Sequence, residues 1–211
     1  MNEQSAAKPR GGVLTWALWG AAAMGVAGVV YIIAQASTNT PASKPAVTPG
    51  AAVGAKSSFA SKVSRPSKPT PPPDLAFLDK DGKPVKIADL KGKVVVMNIW
   101  ATWCGPCKVE MPTLARLQAD YAAKGVVVMP VSIDSDDKAG EATAFIGAQA
   151  PLGFYRDKAM KLPFQLSPPA EGTPTTVIYG RHGLEFARVT GEADWTSAQA
   201  RALVDQALAA S

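Results

Sequence analysis

The chain has 211 residues, with 22 Lys and Arg against 17 Asp and Glu and only two cysteines. Its formal charge of +5 is unevenly spread, because seven Lys and Arg face one Glu up to Pro73, a net of +6, whereas fifteen face sixteen from Asp74 onward, a net of −1. The folded part is therefore close to neutral, which excludes a nucleic-acid binder with a basic patch on its domain.

In chain order, residues 1–12 form a short N-terminal segment carrying Lys8 and Arg10. Val13 to Ala34, VLTWALWGAAAMGVAGVVYIIA, follows as 22 residues without a charge. About 20 apolar residues cross a bilayer core as a helix, whereas a secretory signal core is usually about 7 to 15 long. The span reads as a retained transmembrane anchor. A cleaved signal peptide is the rival, because Ala34-Gln35-Ala36 is an acceptable small-x-small site. Lys8 and Arg10 precede the span closely, while the first charge after it is Lys44. That asymmetry places the N-terminus in the cytoplasm and the rest outside. Trp16, Trp19 and Tyr31 suit interfacial anchors or plain apolar positions of the helix.

Residues 35–73 are rich in Pro, Ala, Ser, Lys and Thr and end RPSKPTPPP. Such a tract cannot bury enough apolar surface to offset its ordering entropy, and repeated proline favours extended chain. It reads as a flexible tether spanning at most about 100 Å at roughly 3 Å per residue. PxxP recognition is the functional alternative.

Residues 74–211 are the size of one domain. Lys93 to Ile99, KVVVMNI, is β-branched and apolar throughout, as a strand buried on both faces requires. A helix is predicted from about Cys104 to Ala123, with Met111, Leu114, Leu117 and Tyr121 near helical spacing. A second buried strand over Val126 to Ile133 and a helix over Glu141 to Gln149 come next. Thr175 to Tyr179 and Leu184 to Thr190 flank the turn Gly180-Arg181-His182-Gly183 and read as a hairpin. The closing helix, Ser197 to Ala209, puts Ala200, Leu203, Val204, Ala207 and Leu208 on one face. The fold class is α/β.

Both cysteines lie in WATWCGPCKVEMP, residues 100–112. Cys104 falls at the start of a helix that follows a buried strand, where unpaired N–H groups and the helix dipole favour a thiolate. Cys107 is one turn further in, close enough to attack a mixed disulfide formed at Cys104. Pro106 fixes φ near the first turn and Gly105 keeps the approach open. A CxxC pair also occurs in zinc sites, but the chain offers no third cysteine and a single histidine, His182. Too few ligands remain for zinc or copper.

With the strand before it, the tryptophans of WATWC and the Thr173-Pro174 dipeptide about seventy residues later, the domain resembles the thioredoxin superfamily. WATWCGPCKVEMP is similar to the WCxPCxxExP pattern of membrane-tethered TlpA, ResA and CcmG-type thiol:disulfide oxidoreductases. The runs LGFYRDKAMKLPFQL and GEADWTSAQARALV look most like TlpA proteins. The resemblance covers roughly Leu75 to Leu208. It implies a thioredoxin fold, a central mixed sheet flanked by helices, behind the anchor and linker.

It also implies roles. Cys104 attacks and Cys107 resolves, the two forming the redox disulfide. Pro174 is the cis-proline facing them, and Glu110 is the acidic residue of WCxPCxxE that tunes the site; a solvated helix carboxylate is the other reading of Glu110. Trp103, Gly105, Pro106 and Thr173 form the surface that meets the substrate, with Trp103 a better surface candidate than Trp100, which suits the core equally. Asn98 departs from thioredoxin, whose strand carries a buried Asp there, and this shifts attention to Glu110. No cofactor or metal is expected.

The implied protein is a single-pass inner-membrane reductant with a periplasmic catalytic domain. Its implied partners are disulfide-bearing periplasmic proteins, either copper-site assembly proteins of cytochrome oxidase or apocytochrome c, with a membrane thiol reductase as electron donor. Two rivals stand beside it. A thiol peroxidase of this fold needs a Pro-x-x-x-Thr-x-x-Cys setting, which the residues before Cys104 do not supply. A copper chaperone usually pairs CxxxC with a later histidine, where this chain has CxxC and Pro174. Asp134, Asp136 and Asp137 read as caps and dipole partners rather than a cation site, and Trp195 as packing at the start of the last helix.

Overall fold

Strand β4, Val94–Trp100, is buried at all seven positions and forms the middle of the sheet. Its Val-Val-Val-Met run is apolar on both sides because helices cover both faces. In the computed structural model, which describes residues 58–210, it pairs in parallel with β5, Val126–Ser132, and antiparallel with β7, Thr175–Tyr179. Strand β8, Glu185–Thr190, returns beside β7 through the turn at residues 180–183, where Gly183 takes φ +76°. Helix α2, Gly105–Tyr121, buries Met111, Leu114, Leu117 and Tyr121, the positions its spacing singles out. Helix α3 is Ala139–Gly147 and α5 is Ala198–Ala209, the latter burying Ala200, Leu203, Val204 and Ala207.

The sheet is wider than the sequence suggests. Strands β2, Ala76–Asp79, and β3, Pro84–Lys86, form a hairpin whose turn is held by the Asp79 carboxylate, which accepts the N–H groups of Asp81 (2.9 Å) and Lys83 (2.8 Å). The two-residue strand β6, Tyr155–Arg156, joins this hairpin to β5. Helix α4, Leu162–Gln165, is a single turn. These pieces are too short to show a period.

The N-terminal boundary of the domain needs correction. The flexible tract expected to run to Pro73 gives way earlier, because Phe59–Lys62 is a helical turn, α1, and Val63–Ser64 is a strand, β1. Val63 pairs with Val189 and Ser64 with Arg188, so β1 covers the outer edge of β8 and the eight strands run β1-β8-β7-β4-β5-β6-β2-β3. The Thr70 carbonyl accepts the Glu185 N–H at 2.8 Å, which carries the pairing past the prolines. Arg65 lies over the Phe186 ring at 4.3 Å and donates to Gln206 Oε1 at 2.6 Å. The described residues from 58 onward belong to one compact unit. Proline-rich chain can still act as a sheet edge, because an edge strand leaves one row of N–H groups unused.

A domain cut at Asp74 therefore loses β1 and the packing of Phe59, and bares β8 as an open edge. A chain starting at Ala55 is expected to be more stable than one starting at Asp74 by about 1 kcal/mol, the worth of one partly buried aromatic side chain. Urea titration of the two fragments measures this; equal midpoints would show that β1 contributes nothing.

The predicted anchor at 13–34, the Ala34-Gln35-Ala36 site and the linker up to residue 57 lie outside the described residues. Among the described residues no helix is long and apolar enough to cross a membrane.

Candidate active site

Cys104 is the N-cap of α2 and its Sγ accepts the N–H of Cys107 at 3.3 Å. Pro106 sits in the first turn, where its missing N–H costs no helical bond. The two cysteines are joined as a disulfide, with Cα atoms 5.3 Å apart. Cys107 is wholly enclosed, whereas Cys104 retains 4% exposure beside exposed Trp103, Gly105 and Pro106. Trp103 is 64% exposed, and Trp100 is core, packed 5.4 Å from the Phe145 ring. Trp100 and Trp103 therefore divide as an inner and an outer residue of one turn.

The Thr173–Pro174 bond is cis, and the Thr173 carbonyl oxygen lies 3.7 Å from Cys104 Sγ. Sheet pairing brings these distant segments together. Pro174 immediately precedes β7, which lies next to β4, and β4 leads directly into the cysteine turn. His182 sits in the turn at the other end of β7. Five strand residues at about 3.3 Å each separate it from the cysteines, so it cannot join them as a metal ligand.

Glu110 is buried, which removes the solvated-carboxylate reading. Oε1 accepts from Asn98 Nδ2 at 2.7 Å and Oε2 accepts the Ala193 N–H at 2.9 Å. Asn98 Nδ2 also donates to Thr176 Oγ1 at 2.9 Å. Burial pushes the Glu110 carboxyl up to about 7, against the opposing pull of the Ala193 and Asn98 hydrogen bonds. Asn98, buried on β4, thus addresses Glu110.

Several residues of the site give no sequence signal. Thr176 and the backbone of Ala193 are ordinary in sequence, and only folding brings Thr176 to Asn98 and the Ala193 N–H to Glu110. Asp134 is not a cap. Its buried carboxylate accepts the Thr102 N–H at 3.0 Å, the Thr102 hydroxyl at 2.8 Å and the Ser132 hydroxyl at 2.8 Å, and so holds the turn that leads into Cys104. Asp136 pairs with Arg156 and Lys158, and Asp137 accepts from Ser135 Oγ. Trp195 packs at the start of α5, as expected.

Residues 66–206 match the redoxin family. The chain belongs to that family. It is 31% identical over 134 residues to the thiol-disulfide oxidoreductase ResA of Bacillus subtilis, covering 63% of this chain and 72% of that protein. A ResA of Oceanobacillus iheyensis is 49% identical over 57 residues, which span 27% of this chain and 30% of that protein. Among solved structures, one from Chlorobium tepidum described as a thiol:disulfide interchange protein DsbE superposes with a TM-score of 0.59 at 32% identity, covering 67% of this chain and 97% of that chain. This redoxin is thus a ResA/CcmG-like member of the thioredoxin superfamily, and its CxxC pair makes it a thiol-disulfide oxidoreductase.

Proposed function

We propose that this redoxin works as a dithiol reductant of partner-protein disulfides, anchored in the inner membrane with its domain in the periplasm. One observation carries the direction of attack: Cys104 caps α2 at the rim while Cys107 is sealed beneath it. The Cys104 thiolate attacks one sulfur of the partner disulfide and expels the other as a thiolate, which takes up a proton. Cys107 loses its proton and attacks Cys104 Sγ, expelling the second partner thiolate. Two electrons pass to the partner, and the Cys104–Cys107 disulfide seen in the structure is the product.

Glu110 lies three residues after Cys107, on the same buried side of α2. A carboxyl that titrates at about 7 is matched to accepting a thiol proton at neutral pH. Trp103, Gly105, Pro106 and the Thr173 backbone offer the partner its docking rim.

The Gly-Pro dipeptide supports the reducing direction, because thioredoxin, with the same dipeptide, sits near −270 mV against about −120 mV for the oxidant DsbA. An oxidising compartment would convert such a couple to its disulfide unless electrons were resupplied, and a tether keeps the domain near a membrane thiol reductase. The partners are copper-site assembly proteins of cytochrome oxidase if the likeness to TlpA holds, and apocytochrome c thiols if the protein works like ResA or CcmG.

Alkylation of acid-quenched cells tests the direction. The pair is expected mainly as thiols in the wild type and as a disulfide once the membrane donor is lost. A pair found mainly as a disulfide in both would make the protein an oxidase. Placement is read from the same cells: the protein should stay in membranes through an alkaline wash, and a soluble form starting at Ser37 would mean a cleaved signal.

A further inference from the structure

Residues 191–195 form a strap between β8 and α5 that touches both halves of the site. The Gly191 N–H donates to the Pro174 carbonyl at 2.8 Å, the Ala193 N–H to Glu110 Oε2 at 2.9 Å, and the Trp195 N–H to Thr113 Oγ1 at 3.1 Å. Thr113 Oγ1 in turn donates to the Glu110 carbonyl at 2.7 Å. Three alternate amides of one short segment thus fix the cis-proline, the buried carboxylate and the helix that bears it. Gly191 takes φ +85°, a conformation that turns the strap inward at little cost only for glycine.

The outer side of the strap is held by α1. The Phe59 ring meets Trp195 edge to face, 6.2 Å between centroids at 85°. Lys62 Nζ donates to the Glu192 carbonyl. Strand β1 follows directly and is paired to β8, so the segment 59–64 is held both to the strap and to the strand from which the strap begins. Helix α1 covers no other part of the site, and its four residues are themselves not fully buried.

We propose that Phe59 and Lys62 are positioning residues of the redox site, which act through the strap at residues 191–195 to hold the Ala193 amide on Glu110 and the Gly191 amide on Pro174. The segment at residues 59–64 thereby positions the redox site from outside it. A hydrogen bond from a backbone amide favours the ionised carboxylate, so a strap released from α1 leaves Glu110 holding its proton more tightly. Of the other groups at the Glu110 carboxyl, Asn98 on β4, with Thr176 behind it on β7, stays in place, whereas the Trp195 side chain, which also favours the ionised form, belongs to the strap and shifts with it. The Glu192 charge, on the strap itself, acts in the same direction as loss of the amide, since it already favours the protonated form.

The test follows the Glu110 carboxyl by carbon-13 NMR in the full chain labelled at glutamate, kept oxidised so that no thiol titrates. The resonance is assigned by its loss in Glu110→Gln. Phe59→Ala is expected to raise its midpoint by about one pH unit, the size of one hydrogen bond to a charged group. Lys62→Met, which keeps the apolar stem, is expected to raise it too, and Phe59→Tyr to restore the wild-type midpoint. A Phe59→Ala protein that melts earlier while its Glu110 midpoint is unchanged or lowered would make α1 mere packing and overturn the proposal. Because no partner or electron transfer enters the measurement, its outcome is independent of the direction in which the couple works.

Discussion

Cys107→Ser is expected to accumulate mixed disulfides with its partners in cells and Cys104→Ser to accumulate none, with disulfide-reductase turnover falling to the uncatalysed background in both. The asymmetry follows from placement. Cys104 caps α2 at a rim formed by Trp103, Gly105 and Pro106, where a partner sulfur can reach it, and the N-terminal dipole of α2 favours its thiolate. Cys107 is one turn inside and has no exposed surface. An intermolecular bond at Cys104 survives when the resolving thiol is gone, whereas Cys107 alone presents nothing to attack. Non-reducing electrophoresis after acid quenching reads both variants in one experiment. Equal trapping by the two, or trapping by Cys104→Ser alone, would reverse the assigned roles.

How far the site could be read from sequence depends on whether a residue's job is local. The cysteines, Gly105 and Pro106 act within one helical turn, so their spacing carries the chemistry. Strands β4, β5 and β7 are legible because sheets covered on both faces demand unbroken apolar runs. Strands β1, β2, β3 and β6 run two to four residues each, so no period can show. Their register comes from long-range pairing such as Val63 with Val189. The same reason hid the partners of Glu110. A backbone amide at Ala193 looks like any other, and Asp134 reads as a cap until folding turns its carboxylate toward Thr102. Composition misplaced the domain start at Asp74 because prolines between residues 66 and 73 suit a tether and an edge-strand extension alike.

Glu110 should make the oxidised protein less stable as pH rises through neutrality. Its carboxyl titrates at about 7 in the fold, against an ordinary value of 4.5, because burial penalises the charge. The folded state therefore binds this proton more tightly than the unfolded chain. The associated stability is fully present below pH 4.5 and is lost as pH climbs through 7. Between pH 5 and pH 8 the loss comes to about 2 to 3 kcal/mol, since a proton held in the fold but not in the unfolded chain is worth about 1.4 kcal/mol for each pH unit crossed. Urea midpoints of the oxidised domain beginning at Ala55 should fall accordingly across that window. Glu110→Gln, which cannot ionise, should flatten the dependence and exceed the wild type in relative stability at the alkaline end. In the reduced protein the same substitution should slow the resolving step most near pH 7, where the carboxylate is half formed and can still take the Cys107 proton; a rate profile that keeps its inflection in Glu110→Gln would assign that proton to water. A wild-type midpoint that rises with pH would place Glu110 among the ordinary carboxylates and remove it from the proton path of the couple.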